Sequence, residues 1–239
     1  MPAGGAPTPA GRRWGLEDRR LYLCTPDRPD LELFLAECIA GGVDVVQLRD
    51  KHLDDERLVA RAERARQICQ DHGVPFVLND RPDLALACGA DGVHVGQDDV
   101  DPAEARALLG PDALIGLSTH APAELDAALG DGGTPAPVDY VSAGPVVATP
   151  TKPGRPGTGL GYVSYAAGRS PWPVWVTGGA TPDTAGPIIA AGARHLVVVR
   201  WLCEAADPRG AARALRSAID RAIGAVGGTP RGTGDPPGA

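Results

Sequence analysis

Gly89-Ala90-Asp91-Gly92-Val93-His94-Val95-Gly96-Gln97-Asp98-Asp99 carries one complete passage from helix end to strand to polar loop. A short Leu/Ala-rich helix reads from Pro82 to Cys88 and stops at Gly89. The run Gly92 to Val95 is too short and too β-rich for a helix. The polar loop after it leads to Asp101-Pro102, a capping side chain followed by proline at the first helical position. The order helix, strand, loop, helix is the unit of a parallel α/β sheet.

The same unit recurs in both directions. Toward the N-terminus lie runs at Leu21 to Cys24, Val43 to Leu48 and Pro75 to Leu78. Helical patterns follow the first two, one through Leu31 to Ile39 and ending at Gly41-Gly42, the other from about Asp54 to His72. Toward the C-terminus lie runs at Leu114 to Leu117, Tyr140 to Ala143, Val174 to Thr177 and His195 to Val199. Helices are expected over Ala121 to Leu129, Pro182 to Ala191 and Pro208 to Ala225, with a weakly written one near Tyr162 to Ala167. Eight βα units in 239 residues predict a single (β/α)8 TIM barrel, an α/β fold, over residues 19–226. No GxGxxG fingerprint follows the first strand, against a dinucleotide fold. The units are too dissimilar for a solenoid.

Pro, Gly and Ala dominate residues 1–18 and 227–239, which read as disordered tails, the first without a signal core. The net charge of −7 argues against nucleic-acid or anionic-membrane partners but allows a small anionic substrate held by local cations. No apolar run is long enough to span a bilayer. Cys24, Cys38, Cys69, Cys88 and Cys203 form no CxxC pair or zinc spacing. They read as buried thiols of a reducing compartment, so the cytoplasm is expected. A homo-oligomer is left open.

In such a barrel the strand ends carry the chemistry. Here they read Gln47-Leu48-Arg49-Asp50-Lys51, Asn79-Asp80-Arg81, Gly96 to Asp99, Ser118-Thr119-His120, Thr149-Pro150-Thr151-Lys152, Thr177-Gly178-Gly179 and Val199-Arg200. Asp80 and Asp99 leave adjacent strands. Alone, one is a helix cap and the other a solvated acid. Together they suit one Mg²⁺ per subunit, which prefers hard oxygen ligands and takes the rest from water and phosphate. Arg49, Lys51 and Lys152 add cations on converging loops. Gly178-Gly179 lets backbone N–H groups approach a second, separate phosphate, with Thr149 and Thr151 offering hydroxyls. Ser118 has no histidine–acid pattern near it in sequence, so it reads as an anion donor rather than a nucleophile. His94 reads as a packed histidine, and His52, His72 and His195 as structural or solvated. His120 sits on the rim without an obvious partner, and Trp172 and Trp175 read as cover for core surface.

These stretches, in this order from about Leu21 to Asp207, closely resemble the thiamine-phosphate synthase family. The resemblance implies a transferase that joins 4-amino-2-methyl-5-(diphosphooxymethyl)pyrimidine to 4-methyl-5-(2-phosphooxyethyl)thiazole. Diphosphate leaves first and the thiazole nitrogen captures the cation. Asp80 and Asp99 would be the Mg²⁺ ligands. Arg49, Lys51, Asn79, Ser118 and Lys152 would hold the diphosphate and pyrimidine within the segments Gln47-Leu48-Arg49-Asp50-Lys51 and Thr149-Pro150-Thr151-Lys152. Gln47 would take the aminopyrimidine, with Tyr22 lining its pocket. Thr149, Thr151, Gly179 and the strand end Val199-Arg200 would take the thiazole phosphate.

Two departures stand out, and one is that the helix after the sixth strand is short and irregular. The family pattern after the eighth strand is typically Ile-Ser, and here it is Val199-Arg200. Two other readings compete. A thiazole tautomerase on the same fold needs no diphosphate or metal cluster, so Arg49, Lys51, Asp80, Asp99 and Lys152 argue against it. A non-catalytic sensor would bind thiamine phosphate without turnover.

Overall fold

The computed structural model describes residues 14–130, 133–148 and 157–227. Eight strands alternate with helices: β1 (Leu21–Thr25), β2 (Val45–Leu48), β3 (Phe76–Asn79), β4 (Gly92–Val95), β5 (Leu114–Thr119), β6 (Tyr140–Ala143), β7 (Val174–Val176) and β8 (His195–Val198). The helices are α1 (Leu31–Ala40), α2 (Asp55–Asp71), α3 (Pro82–Cys88), α4 (Pro102–Leu109), α5 (Pro122–Ala128), α6 (Gly159–Arg169), α7 (Pro182–Ala190), α8 (Arg200–Cys203) and α9 (Pro208–Gly227). Each strand pairs in parallel with the next, and β8 pairs with β1, so the sheet closes in chain order. The expected (β/α)8 barrel is the fold. No described helix is long and apolar enough to cross a membrane.

Strand alternation sorts the core into two parts. Leu21, Leu23, Val46, Leu48, Phe76, Leu78, Val93, Val95, Ile115 and Leu117 join the mantle between strands and helices. Their neighbours Tyr22, Val45, Val77, Leu114, Tyr140 and Trp175 form a separate cluster that fills the lower barrel. Gly116 makes room for it, because a Cβ there would collide with the Tyr140 phenol and His94 Nδ1.

Helix starts follow their caps. Asp54 accepts from Arg57 N–H at 2.9 Å, and Asp101 accepts from Ala103 N–H at 2.7 Å ahead of Pro102. Thr181 and Thr184 form a reciprocal capping box ahead of α7. The last helix, α9, packs on α7 and α1 and completes the ring.

Four expectations shift. The barrel begins before residue 19: Leu16 is 1% exposed, and it and Trp14 pack into the lower interior cluster. Arg19 fastens this plug by donating to Trp14 O and Asp44 O. Residues 1–13 and 228–239 lie outside the described residues, while α9 runs to Gly227. The weakly written sixth helix is longer than expected, because Tyr162, Val163 and Ala166 bury one face and outweigh its three glycine positions. Finally, α8 was not expected, since four residues are too few to show a period.

The cysteines are free, and Cys24, Cys38, Cys69 and Cys88 are buried. Burial pushes the Cys38 thiol up to about 12, which suits an inert core thiol.

His195 gives the barrel floor a pH dependence. It is buried, with Nδ1 2.6 Å from Arg19 O, and desolvation lowers its pKa to about 4. A neutral histidine that would protonate once unfolded makes folding weaker in acid. The loss begins as pH falls through about 6.5, grows by about 1.4 kcal/mol per unit, and levels off near the folded value of about 4. His195→Asn should flatten the urea midpoint across that window. An equally steep fall in the variant would assign the acid sensitivity elsewhere.

Candidate active site

The inward parity that fills the lower barrel with apolar rings continues upward with polar groups. Cys24, Gln47, Asn79, His94, Ser118 and Ser142 form the floor of a cavity of about 310 Å³ at the C-terminal ends of the strands. Arg49 stands on one wall. Thr177, Gly178, Gly179, Thr181, Val199, Arg200, Trp201 and Glu204 form the opposite wall. Gln47 and Ser118 are each 5% exposed, so their polar atoms face the cavity from a packed surround.

The acidic pair leaves the strand ends beside this cavity, with Asp80 directly after the lining residue Asn79. Asp80 is the one non-glycine residue among those described with positive φ, at 62°, a conformation Asp tolerates better than most. Its N–H donates to His94 O at 2.8 Å, pinning the turn out of β3 against β4. Burial raises the Asp80 carboxyl pKa, and the neighbouring Asp99 raises it further, against Lys51. The two carboxylates are therefore close enough to repel. Lys51 Nζ lies 2.9 Å from Asp80 Oδ2, but it is more than half exposed, so the pair contributes less than about 1 kcal/mol. Asp99 Oδ2 accepts from Gly96 N–H at 2.7 Å, which orders the loop it belongs to. Gln97 Nε2 ties the same loop to β5 by donating to Ser118 O at 2.7 Å.

Opposite the acids, Gly178 and Gly179 have φ of +95° and +83°, which brings their backbone to the cavity ahead of α7. A Cβ on Gly179 would lie 2.7 Å from Val147 Cγ2. The short α8 begins at Arg200 beside it, as at the phosphate end of many barrels.

The structure thus brings Tyr22, Gln47, Arg49, Asn79, Ser118, Gly179, Val199 and Arg200 to one cavity, and gathers Lys51 and Asp99 around Asp80, the residue after cavity-lining Asn79. Two expected contacts are corrected. Leu48 is 1% exposed within the helix-facing mantle, because alternation turns it away from Gln47 and Arg49. Asp50 spends its carboxylate on loop amides, accepting from Asp27, His52 and Leu53 N–H, so it shapes the loop. Thr149, Pro150, Thr151 and Lys152 lie outside the described residues.

Some partners escaped the sequence reading. Ser118 does have a histidine: His94 Nε2 is 2.9 Å from its Oγ. His120 also has a partner, with Nδ1 2.8 Å from Glu124 Oε2. Ser142, Trp201 and Glu204 join the cavity unforeseen. Ser142 was findable, since it stands two residues above inward Tyr140.

The chain matches the family model described as thiamine monophosphate synthase over residues 21–202. It is 48% identical over 208 residues to a thiamine-phosphate synthase of Thermus thermophilus, covering 84% of this chain and 97% of the relative. It is 49% identical over 216 residues to that of Thermobifida fusca, covering 88% and 96%. Among solved structures it is similar to a thiamine phosphate pyrophosphorylase from Pyrococcus furiosus. The TM-score is 0.75 at 28% identity, over 85% of this chain and 96% of the other.

Proposed function

Because the chain belongs to the thiamine monophosphate synthase family, we propose that this transferase couples a pyrimidine diphosphate to a thiazole phosphate and releases thiamine phosphate and diphosphate. One observation carries the reading. A single cavity is flanked on one side by Arg49, Lys51 and paired carboxylates, and on the other by the paired glycines ahead of α7. That layout suits two phosphorylated ligands that meet over a neutral polar floor.

The reaction needs no protein nucleophile. The C–O bond to diphosphate breaks with its electron pair leaving on oxygen. The thiazole nitrogen then supplies a pair to form the C–N bond. Arg49 and Lys51 neutralise charge that grows on the leaving group, and Ser118 donates a hydrogen bond to it. Gln47 and Asn79 orient the aminopyrimidine. Gly179 N–H and Arg200 hold the thiazole phosphate so that its nitrogen faces the reacting carbon.

The donor set fits Mg²⁺. Asp80 and Asp99 offer hard oxygens that already repel each other, a cost that a divalent cation would relieve. No group of three or more His, Cys, Asp and Glu residues that could hold a metal gathers among the described residues, so substrate and water would complete an octahedron. Bound there, the ion would stabilise charge on the departing diphosphate. Cytoplasmic location accords with the free cysteines.

The test is diphosphate release from the two substrates with Mg²⁺ or with a chelator. Release that needs both substrates and the metal supports the reading. Saturable binding without release would make the chain a sensor instead. At the phosphate wall, Gly179→Ala combines a strained φ with a clash at Val147. It should raise KM for the thiazole phosphate about tenfold, on the order of 1.4 kcal/mol, and leave KM for the pyrimidine diphosphate near its original value. An equal rise in both would remove Gly179 from that subsite.

A further inference from the structure

A line of hydroxyls and one imidazole runs up through the barrel to the cavity floor. Tyr22 and Tyr140 hydroxyls are 3.1 Å apart. Tyr140 Oη is 3.1 Å from His94 Nδ1, and the two rings stack at 5.5 Å with 24° between their planes. His94 Nε2 is 2.9 Å from Ser118 Oγ. Ser142 Oγ also donates to Ser118 Oγ, at 3.4 Å. All five side chains are at least nine-tenths buried.

Each hydroxyl has one proton, and a neutral imidazole has one N–H, so the line must have a direction. The lower end sets it. Among the described residues, the Tyr22 hydroxyl meets one hydrogen-bond partner, Tyr140. If Tyr22 only accepted, its own proton would meet no acceptor among the described residues. Tyr22 therefore donates to Tyr140, and Tyr140 donates to His94 Nδ1. Burial raises both phenol pKa values, so neither gives up its proton. An imidazole that accepts at Nδ1 carries its hydrogen on Nε2, which faces Ser118.

We propose that His94 is a positioning residue: held in the Nε2–H tautomer by Tyr140, it donates to Ser118 Oγ and thereby reserves the Ser118 proton for an anionic ligand. Ser118 then accepts from His94 and Ser142 below it and can donate only into the cavity. A serine in the opposite arrangement would give its proton to His94 and meet an oxyanion with lone pairs. The stacked ring fixes the position of this donor, and Gly116 leaves the space for it. That the ligand is the departing diphosphate rests on the function proposed above.

Two measurements test it. In the folded full chain, the ¹⁵N shifts of His94 should show a protonated Nε2 and a bare Nδ1. The reverse tautomer overturns the proposal, whatever the reaction proves to be. The second is a mutant cycle in the coupling assay. His94→Asn should lower kcat about tenfold with KM for the thiazole phosphate unchanged. His94→Gln, whose amide reaches toward the Nε2 position, should recover part of that loss. In a Ser118→Ala background the same His94 substitutions should cost nothing more. Losses that add in full would mean that His94 does not act through Ser118. If the variants fail to fold, the wild-type tautomer still decides. If wild type shows no turnover while the tautomer is as stated, the reaction assignment fails and the positioning role stands.

Discussion

Replacing Asp99 with alanine should lower kcat roughly 10²- to 10³-fold, the range seen when one charge-stabilising group is removed from a preorganised site. Asp99→Ala also deletes the acceptor for Gly96 N–H, so it alone would confuse loop order with charge. Asp99→Asn separates them. Its amide oxygen still accepts from Gly96, yet the negative charge is gone. The loss of turnover should persist in Asp99→Asn, deepen at limiting Mg²⁺, and ease when Mg²⁺ is raised. Stability should move the other way. The Asp99 charge helps to raise the Asp80 carboxyl pKa. A raised folded pKa weakens folding as pH rises past the unfolded value, so neutralising Asp99 removes part of that penalty. Thermal unfolding near pH 7 should therefore show no fall in Asp99→Asn. Near-normal turnover in both variants at limiting Mg²⁺ would sink the metal assignment.

The second large effect lies below the site. Trp175 is fully buried in the lower barrel, edge-on to Tyr22 at 5.3 Å and against His195 at 4.9 Å. Closed on all sides by strands, the space it fills cannot collapse easily. Trp175→Ala should cost about 3–5 kcal/mol, at the high end for core truncations. For a chain of this size that is a fall in Tm on the order of 10 °C. Its indole N–H has no hydrogen-bond partner among the described residues, so Trp175→Phe gives up a buried unsatisfied donor along with part of the volume. The phenylalanine variant should lose less than half as much. Equal losses in the two variants would show that the volume removed does not set the cost at this site.

Much of this was readable because a parallel barrel repeats one local rule. Period-two strands, helix caps such as Asp54, Asp101 and Thr181, and polar residues after each strand locate the rim without any contact information. The same rule, applied strictly, also corrects the reading. Gln47 and Arg49 share a parity that Leu48 does not, so neighbouring side chains of one motif face opposite sides of the sheet. Asp50 could not be settled that way, because its role depends on where the Asp27 amide lies across the loop. The His94–Ser118 contact was out of reach for another reason. Those residues are 24 apart, and the parallel register that sets His94 opposite Gly116 is fixed by barrel closure rather than by a turn. Trp14 and Leu16 were hidden by their Gly- and Pro-rich neighbourhood, whose composition masks two apolar anchors.

The proposed function is a coupling reaction in one two-phosphate cavity. Its most direct test is to quantify thiamine phosphate and diphosphate from the purified full chain given both substrates and Mg²⁺. The prediction is equal amounts of the two products, with neither formed when the thiazole phosphate is omitted and both formed roughly 10²- to 10³-fold more slowly when Asp99 is neutralised. A folded chain that binds both substrates yet forms no thiamine phosphate would contradict it.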